Sequence, residues 1–233
     1  MIDWHSHILP AMDDGSRDTA ESISLLNMQV SQGISTVIAT PHFYANDETV
    51  ASFLERRKQA LELLKSELPE GAPEIRLGAE VKYYQGISRM ADLKDLRIEG
   101  SKLLLLEMPM SHWTEYMVRE LIELSGKSSI KIVLAHVERY FHLQKQAVWD
   151  RLFENGILAQ VNASFFHSFA TKRKAIALLQ EGSIQLIGSD CHGVTSRPPQ
   201  IDKAFEVIRK KLGDEYLNQM NEYGYSLLAT TCN

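Results

Sequence analysis

Four consecutive leucines, in Lys102-Leu-Leu-Leu-Leu-Glu-Met-Pro109, constrain this chain more than any other stretch. Successive side chains of a strand point to opposite faces, so an unbroken apolar run must be buried on both. That is the situation of a parallel sheet covered by helices. Similar short runs recur at residues 34–39, 74–79, 131–136, 157–161 and 183–188, after an opening segment, Met1-Ile-Asp-Trp-His-Ser-His7. Between them lie segments with helical spacing. Asp18 or Thr19 can cap a helix carrying Ile23, Leu26 and Val30 that ends at Gly33. Residues 48–68 carry Leu54, Leu61, Leu64 and Leu68, and the next helix carries Met117, Leu121 and Leu124. Later helices are marked by Val148 and Leu152 before Gly156, by Ile176 and Leu179 before Gly182, and by Ile201, Ala204, Phe205, Ile208 and Leu212. A short C-terminal helix is expected near Tyr216 and Met220.

About seven strands, each followed by a helix, predict an α/β chain with a parallel sheet, either closed into a barrel or open and doubly wound. In both arrangements the C-terminal strand ends share one face. Six of those ends carry His5 and His7, His42, Glu80, Glu107, His136, and Asp190 with His192. Residues two apart on a strand face the same way, so His5 and His7 can converge while Trp4 and Ser6 point away. A carboxylate at the end of a run as apolar as 103–106 must be paired, exposed or bound to metal, because burying it alone costs several kcal/mol. Five histidines and three carboxylates on one edge would repel and leave lone pairs unused without cations. The nitrogen and oxygen donor set suits zinc, manganese or iron. Eight groups exceed one four-coordinate site, which predicts two or three ions sharing carboxylates.

Composition narrows the partners. The 233 residues, 44% of them apolar, suffice for a sizeable core, and no compositional break divides them, so one domain over 1–233 is expected. Net charge is −5, from 25 basic and 30 acidic residues with no basic block, which argues against nucleic acid or an anionic membrane as partner. Two cysteines, Cys191 and Cys232, make no disulfide framework, and no apolar run could span a bilayer; a cytoplasmic protein is expected.

With these residues in place the chain resembles the PHP (polymerase and histidinol phosphatase) family of metal-dependent phosphoesterases. The resemblance rests on His5-Ser-His7, Thr40-Pro-His42, Glu80, His136 and Ser189-Asp-Cys-His192, in the family's order. Asp3-Trp-His-Ser-His-Ile-Leu-Pro10, Asp13-Asp-Gly-Ser16, Ala39-Thr-Pro-His42, Ala135-His-Val-Glu-Arg-Tyr140 and Ser196-Arg-Pro-Pro199 look like its bacterial tyrosine-protein phosphatase branch, which acts with capsule and exopolysaccharide tyrosine kinases. The resemblance implies a distorted (βα)7 barrel and hydrolysis of phosphotyrosine by a metal-activated water. It implies one ion on His5, His7, Glu80 and Asp190, and a second on Glu80, Glu107 and His136. A third would take His42, His192 and an oxygen from the 13–14 loop, with Asp14 preferred over Asp13. Arg139 and Arg197 are then placed to hold phosphate as planar, bidentate donors.

Three rival functions share parts of this pattern. Histidinol phosphatase or another small-molecule phosphoesterase would use the same ligands, and a metal-dependent amidohydrolase also opens with His-x-His. A non-catalytic metal-binding docking module would keep the ligands without turnover. Separately, Cys191-His-Gly-Val-Thr-Ser-Arg197 has the Cys-x5-Arg spacing of cysteine phosphatases. Flanking by Asp190 disfavours a thiolate, so Cys191 is expected to be a packing residue.

Overall fold

In the computed structural model, residues 1–229 are described, and Cys232 lies outside them. The chain opens with β1 (Ile2–Ser6) and α1 (Thr19–Ser31), then β2 (Thr36–Ala39), β3 (His42–Phe43) and α2 (Val50–Lys65). β4 (Glu74–Leu77), β5 (Glu80–Lys82), β6 (Leu103–Glu107), α3 (Glu115–Ser125), β7 (Lys131–Leu134) and α4 (Gln146–Glu154) follow. The last part comprises β8 (Leu158–Asn162), α5 (Phe169–Gln180), β9 (Leu186–Gly188), α6 (Ile201–Leu212) and α7 (Asp214–Leu228).

All strand pairs are parallel, as the doubly buried run at 103–106 requires. β1 pairs with β2 and β2 with β4, while the order β3-β5-β6-β7-β8-β9 forms the larger sheet. β2 and β3 are two pieces of one strand interrupted at Thr40-Pro41, and β4 and β5 are two pieces interrupted at Gly78-Ala79. Joined so, they occupy seven strand positions. A parallel bridge between Ser6 and Cys191, with Asp190 N–H donating to His5 O at 2.8 Å and His7 N–H to Cys191 O at 3.0 Å, connects β1 to the end of β9. The sheet thereby curls into a distorted barrel. The interruptions matter for the site: His42 and Glu80 begin the second pieces of their strands instead of ending the first.

Two apolar layers hold this arrangement. The larger lies between the sheet and the surrounding helices. The smaller fills the inside of the curl with Ile2, Trp4, Ile38, Leu103, Leu105, Val133, Leu158 and Leu186, closed below by Leu227 and Leu228 of α7. Trp4 is therefore an interior residue, against the expectation that it points away from His5. Between Asp3 and Ser6 β1 advances three residues while β2 advances two, from Val37 to Ala39. Such a bulge shifts the side-chain alternation by one residue, so Trp4 and His5 both serve the interior.

The helices obey their caps more closely than their expected stripes. Asp18 caps α1 by accepting from Glu21 N at 2.9 Å, and Thr49, Thr114 and Ser168 cap α2, α3 and α5. In α1, however, the buried face is Ser22, Leu25, Leu26 and Gln29, and Val30 is exposed. α7 has 15 residues where a short helix was expected. It sits close on β1 because residue 224 is glycine: a Cβ there would lie 3.0 Å from the Trp4 ring and 3.2 Å from Ile2. No helix among the described residues is long and apolar enough to cross a membrane.

Candidate metal centre

The parallel strands bring every ligating residue expected from the sequence to the C-terminal mouth of the curl, above the interior apolar layer. His5, His7, Glu80, His136, Asp190 and His192 are buried, His42 and Glu107 are half-buried, and Asp14 is exposed. Nitrogen and oxygen atoms gather in three overlapping groups: His5, His7 and Asp190; His42, Glu80 and Glu107; and His7, Asp14, His42 and His192. His136 joins the second through Nε2, 2.8 Å from Glu80 Oε1 and 3.8 Å from Glu107 Oε1. Glu80 is the hub, with Oε2 also 3.2 Å from His5 Nε2, 3.4 Å from His7 Nε2 and 2.9 Å from His42 Nδ1.

Four of the five histidines are oriented by the same device. His5 Nδ1 lies 3.2 Å from Gln160 Oε1, and that oxygen must act as an acceptor because it also takes the His136 N–H at 2.8 Å. His7 Nδ1 is 2.7 Å from Asp13 Oδ2, His192 Nδ1 3.0 Å from Asp190 O, and His136 Nδ1 3.3 Å from the Tyr140 hydroxyl, which donates to Met108 O. Each Nδ1 thus carries a proton, and each Nε2 is turned into the cluster, where a metal ion can take the place of any proton it holds. The consequences are visible at the centre. The Nε2 atoms of His5 and His7 face each other at 3.1 Å, and His192 Nε2 is buried with no hydrogen-bond partner among the described residues. His42 Nδ1, although near Glu80, makes no hydrogen bond either. Imidazole nitrogens converging beside the buried carboxylates of Glu80 and Asp190 and half-buried Glu107 are the donor set of a divalent cation site, and the residues fit such ions.

The charge balance agrees. Burial opposes charge on His7, yet hydrogen bonds and ion pairing with Asp13 and Glu80 push its pKa up to about 10. Burial likewise opposes ionisation of Glu80, but the surrounding histidines hold it well below the usual carboxylate range, and Asp190 is held low in spite of its burial by His5, His7 and Arg197. The site demands positive charge at its centre. Burial and the neighbouring cations push His192 down to about 4.

The 13–14 loop divides its two aspartates between different tasks. Asp13 points inward, accepting from His7 Nδ1, from His42 N–H at 2.9 Å and from Gly15 N–H at 2.9 Å. Asp14 reaches over the mouth, its Oδ1 3.3 Å from His192 Nε2 and 3.4 Å from His42 Nε2.

Arg139 and Arg197 stand at the rim, and both donate through Nη2 to Asp190 Oδ2, at 2.5 and 2.6 Å. The other oxygen of Asp190 faces His5 and His7 at 3.8 and 3.6 Å. The two arginines line a cleft of about 240 Å³ with Asn162, Ala163, Ser164, His167, Ser189, Pro198 and Gln200. Backbone strain concentrates here: of four described non-glycine residues with positive φ, His136, Asp190 and Arg197, at 36°, 52° and 59°, belong to the site, and the fourth is Ala11.

Gln160 and Asn162 were not read as site residues from the sequence. Asn162 Nδ2 donates to Asp190 Oδ2 at 2.7 Å, and Gln160 Nε2 donates to Asn162 Oδ1 at 3.1 Å. The signal was present: both are polar and two apart, in phase with Leu158 on a strand otherwise buried. Cys191 is wholly buried, and burial with the nearby Asp3 carboxylate raises its thiol pKa, so it packs and does not present a thiolate.

A family model described as capsular polysaccharide synthesis, CpsB/CapC, matches residues 1–224. The chain belongs to the CpsB/CapC family. Tyrosine-protein phosphatase YwqE of Bacillus subtilis (strain 168) is 32% identical over 238 residues, spanning 98% of this chain and 91% of the relative. Tyrosine-protein phosphatase CpsB of Streptococcus pneumoniae is 30% identical over 230 residues, covering 91% of each. Among solved structures, a chain from the crystal structures of YwqE and of S. pneumoniae CpsB, described as unique metal-dependent tyrosine phosphatases, superposes with a TM-score of 0.80 at 28% identity. That superposition covers 100% of this chain and 96% of the other. The curled parallel α/β architecture of this CpsB/CapC member is thus the PHP-type fold of those enzymes.

Proposed function

We propose that this CpsB/CapC-family chain is a metal-dependent protein-tyrosine phosphatase whose natural substrate is a bacterial capsule or exopolysaccharide tyrosine kinase. The observation that carries the reading is the juxtaposition of the histidine–carboxylate centre with Arg139 and Arg197: His5 and His7 face Asp190 Oδ1 while both arginines bind its Oδ2. His5, His7, Asp14, His42, Glu80, Glu107, His136, Asp190 and His192 are assigned as ligands of two or three divalent ions, with manganese, iron and zinc all compatible with the donors. Such ions supply Lewis-acid charge and an activated water nucleophile.

The chain's own residues then do the following. Gln160, Asp13, Tyr140 and the Asp190 carbonyl hold the histidine rings in ligating orientation. Arg139 and Arg197 are free to swing from Asp190 Oδ2 to the non-bridging oxygens of a phosphate, since both are part-exposed at the cleft and guanidinium matches phosphate in a planar fork. Their charge stabilises the additional negative charge of the transition state. The cleft beside them offers Ala163, Ser164 and Pro198 as walls for the phenol ring. A phenolate, with tyrosine's reference pKa near 10, leaves with less proton assistance than an alkoxide.

Parallel turnover of a phosphotyrosine peptide and of histidinol phosphate tests the substrate. Preference for the peptide is expected, and a tenfold or greater preference for histidinol phosphate would replace this reading with a small-molecule phosphatase. Incubation with an autophosphorylated capsule tyrosine kinase tests the partner, with loss of its phosphotyrosine signal expected.

A further inference from the structure

We infer that the groove between α5 and α6 docks an acidic segment of the substrate protein that flanks its phosphotyrosine. The inference rests on the phosphatase reading above and adds how the protein substrate is recognised. The groove has a volume of about 390 Å³ and is lined by Phe169, Lys172, Arg173, Ile176, Val207 and Lys211. Its floor is apolar, from half-buried Ile176 and Val207, and its walls carry three cations and no carboxylate. That composition stands out on a chain whose net charge is −5. On neighbouring helices several lysines and arginines are paired: Arg119 and Arg151 with Glu115, Lys210 with Glu206, Arg209 with Asp214. Among the described residues Lys172, Arg173 and Lys211 make no such pair; Lys172 instead lies 5.1 Å above the Phe169 ring.

Phe169 is 87% exposed, the most exposed large apolar residue among those described, and it stands at the groove's lip. An aromatic side chain so placed, rimmed by cations, is the composition of a recognition surface. The same two helices that line the groove start beside the catalytic cleft. His167, in the wall of that cleft, is two residues from Phe169, and Gln200 of the cleft immediately precedes α6. His167 Nε2 and the Gln200 carbonyl, 3.0 Å apart, tie together the segments that lead into α5 and α6. From Phe169 to Ile176 the helix rises about 10 Å. An extended peptide advances about 3.3 Å per residue, so acidic side chains roughly three to six residues from the phosphotyrosine would meet Arg173 and Lys211.

The test compares phosphotyrosine peptides carrying four glutamates, placed three to six residues before or after the phosphotyrosine, with glutamine-substituted counterparts and with free phosphotyrosine. Wild-type protein and the double variant Arg173→Glu/Lys211→Glu are used, with Phe169→Ala as a second variant. Both variants alter exposed side chains outside the catalytic cleft. A lower KM for one acidic peptide is expected in the wild type, lost by about threefold to tenfold in the double variant and weakened by added salt, with kcat and free-phosphotyrosine turnover unchanged. Fluorescence anisotropy with the same acidic sequence bearing unphosphorylated tyrosine reads docking without turnover, so it answers even if no phosphotyrosine compound is hydrolysed. Binding that the double variant abolishes supports the groove. Equal KM for acidic and neutral peptides, an equal loss on both, or anisotropy binding unchanged in the double variant would overturn it.

Discussion

At the scale of single residues, the centre depends on groups that touch no substrate. Gln160 fixes the His5 tautomer, and removal of such an orienting group typically weakens metal affinity 10- to 100-fold. Gln160→Ala is expected to show a loss of that size in a competition titration with a chelating dye, while retaining the fold. Cys191→Ser is expected to keep activity within about twofold, because the thiol is buried and takes no part; an inactive variant alongside wild-type activity that survives chelator would point to a cysteine mechanism. His7 sets a pH dependence. Its folded pKa in the metal-free protein, about 10, lies above the reference value of 6.5, so its pairing with Asp13 and Glu80 stabilises fully below 6.5 and is lost as pH rises through about 10. Metal binding requires the opposite, release of that proton, so metal affinity should rise with pH over the same window and calorimetry in buffers of different ionisation enthalpy should detect proton release. The residues most legible in the sequence were those whose chemistry has few other uses at a strand end, such as His136 and Glu107. Gln160 and Asn162 were less legible because amides are ordinary strand residues until their partners are known.

At the scale of elements, the positions of the strands, their parallel pairing and the Asp18 cap followed from the sequence, but side-chain phase did not. The bulge between Asp3 and Ser6 turns Trp4 inward, and no local signal marks it, since it arises from pairing with β2. The same limit explains α1, where Val30 was expected on the buried stripe but Ser22 and Gln29 occupy it. Gln29 donates to the buried Asp3 at 2.6 Å and Ser22 bonds Ser16 at 2.8 Å, so that face is chosen by polar partners from β1 and its loop, which helical periodicity cannot foresee. Close approach of β9 to β1 gives a sharper prediction. A Cβ on residue 188 would lie 2.5 Å from the Cβ of His5 and 2.8 Å from its backbone nitrogen. Gly188→Ala is therefore expected to destabilise by about 1–3 kcal/mol and to displace His5, read as a lowered denaturation midpoint together with reduced metal content. Leu228→Ala, at the opposite end of the curl, should cost about 2–5 kcal/mol in the same measurement and leave turnover per folded molecule unchanged.

At the scale of the whole molecule, residues from the first strand to the last segment before α6 meet at one mouth, so the centre exists only when the curl is closed. Ions that bind there and not to the unfolded chain stabilise by mass action. Thermal unfolding should accordingly proceed as one transition over the described chain, moved down by chelator and restored by a divalent ion. Two separate transitions would argue against a single domain over 1–233. Barrel closure was legible only as one of two options, because repeated strand–helix units serve open and closed sheets alike; the contact of Ser6 with Cys191 decides between them and carries no sequence mark. The most direct measurement is hydrolysis of a phosphotyrosine peptide by chelator-stripped protein before and after addition of manganese, zinc or ferrous ion. Activity lost on stripping and regained with at least one ion is expected; full activity in the stripped protein, or none after any ion despite bound metal, would contradict a metal-dependent tyrosine phosphatase.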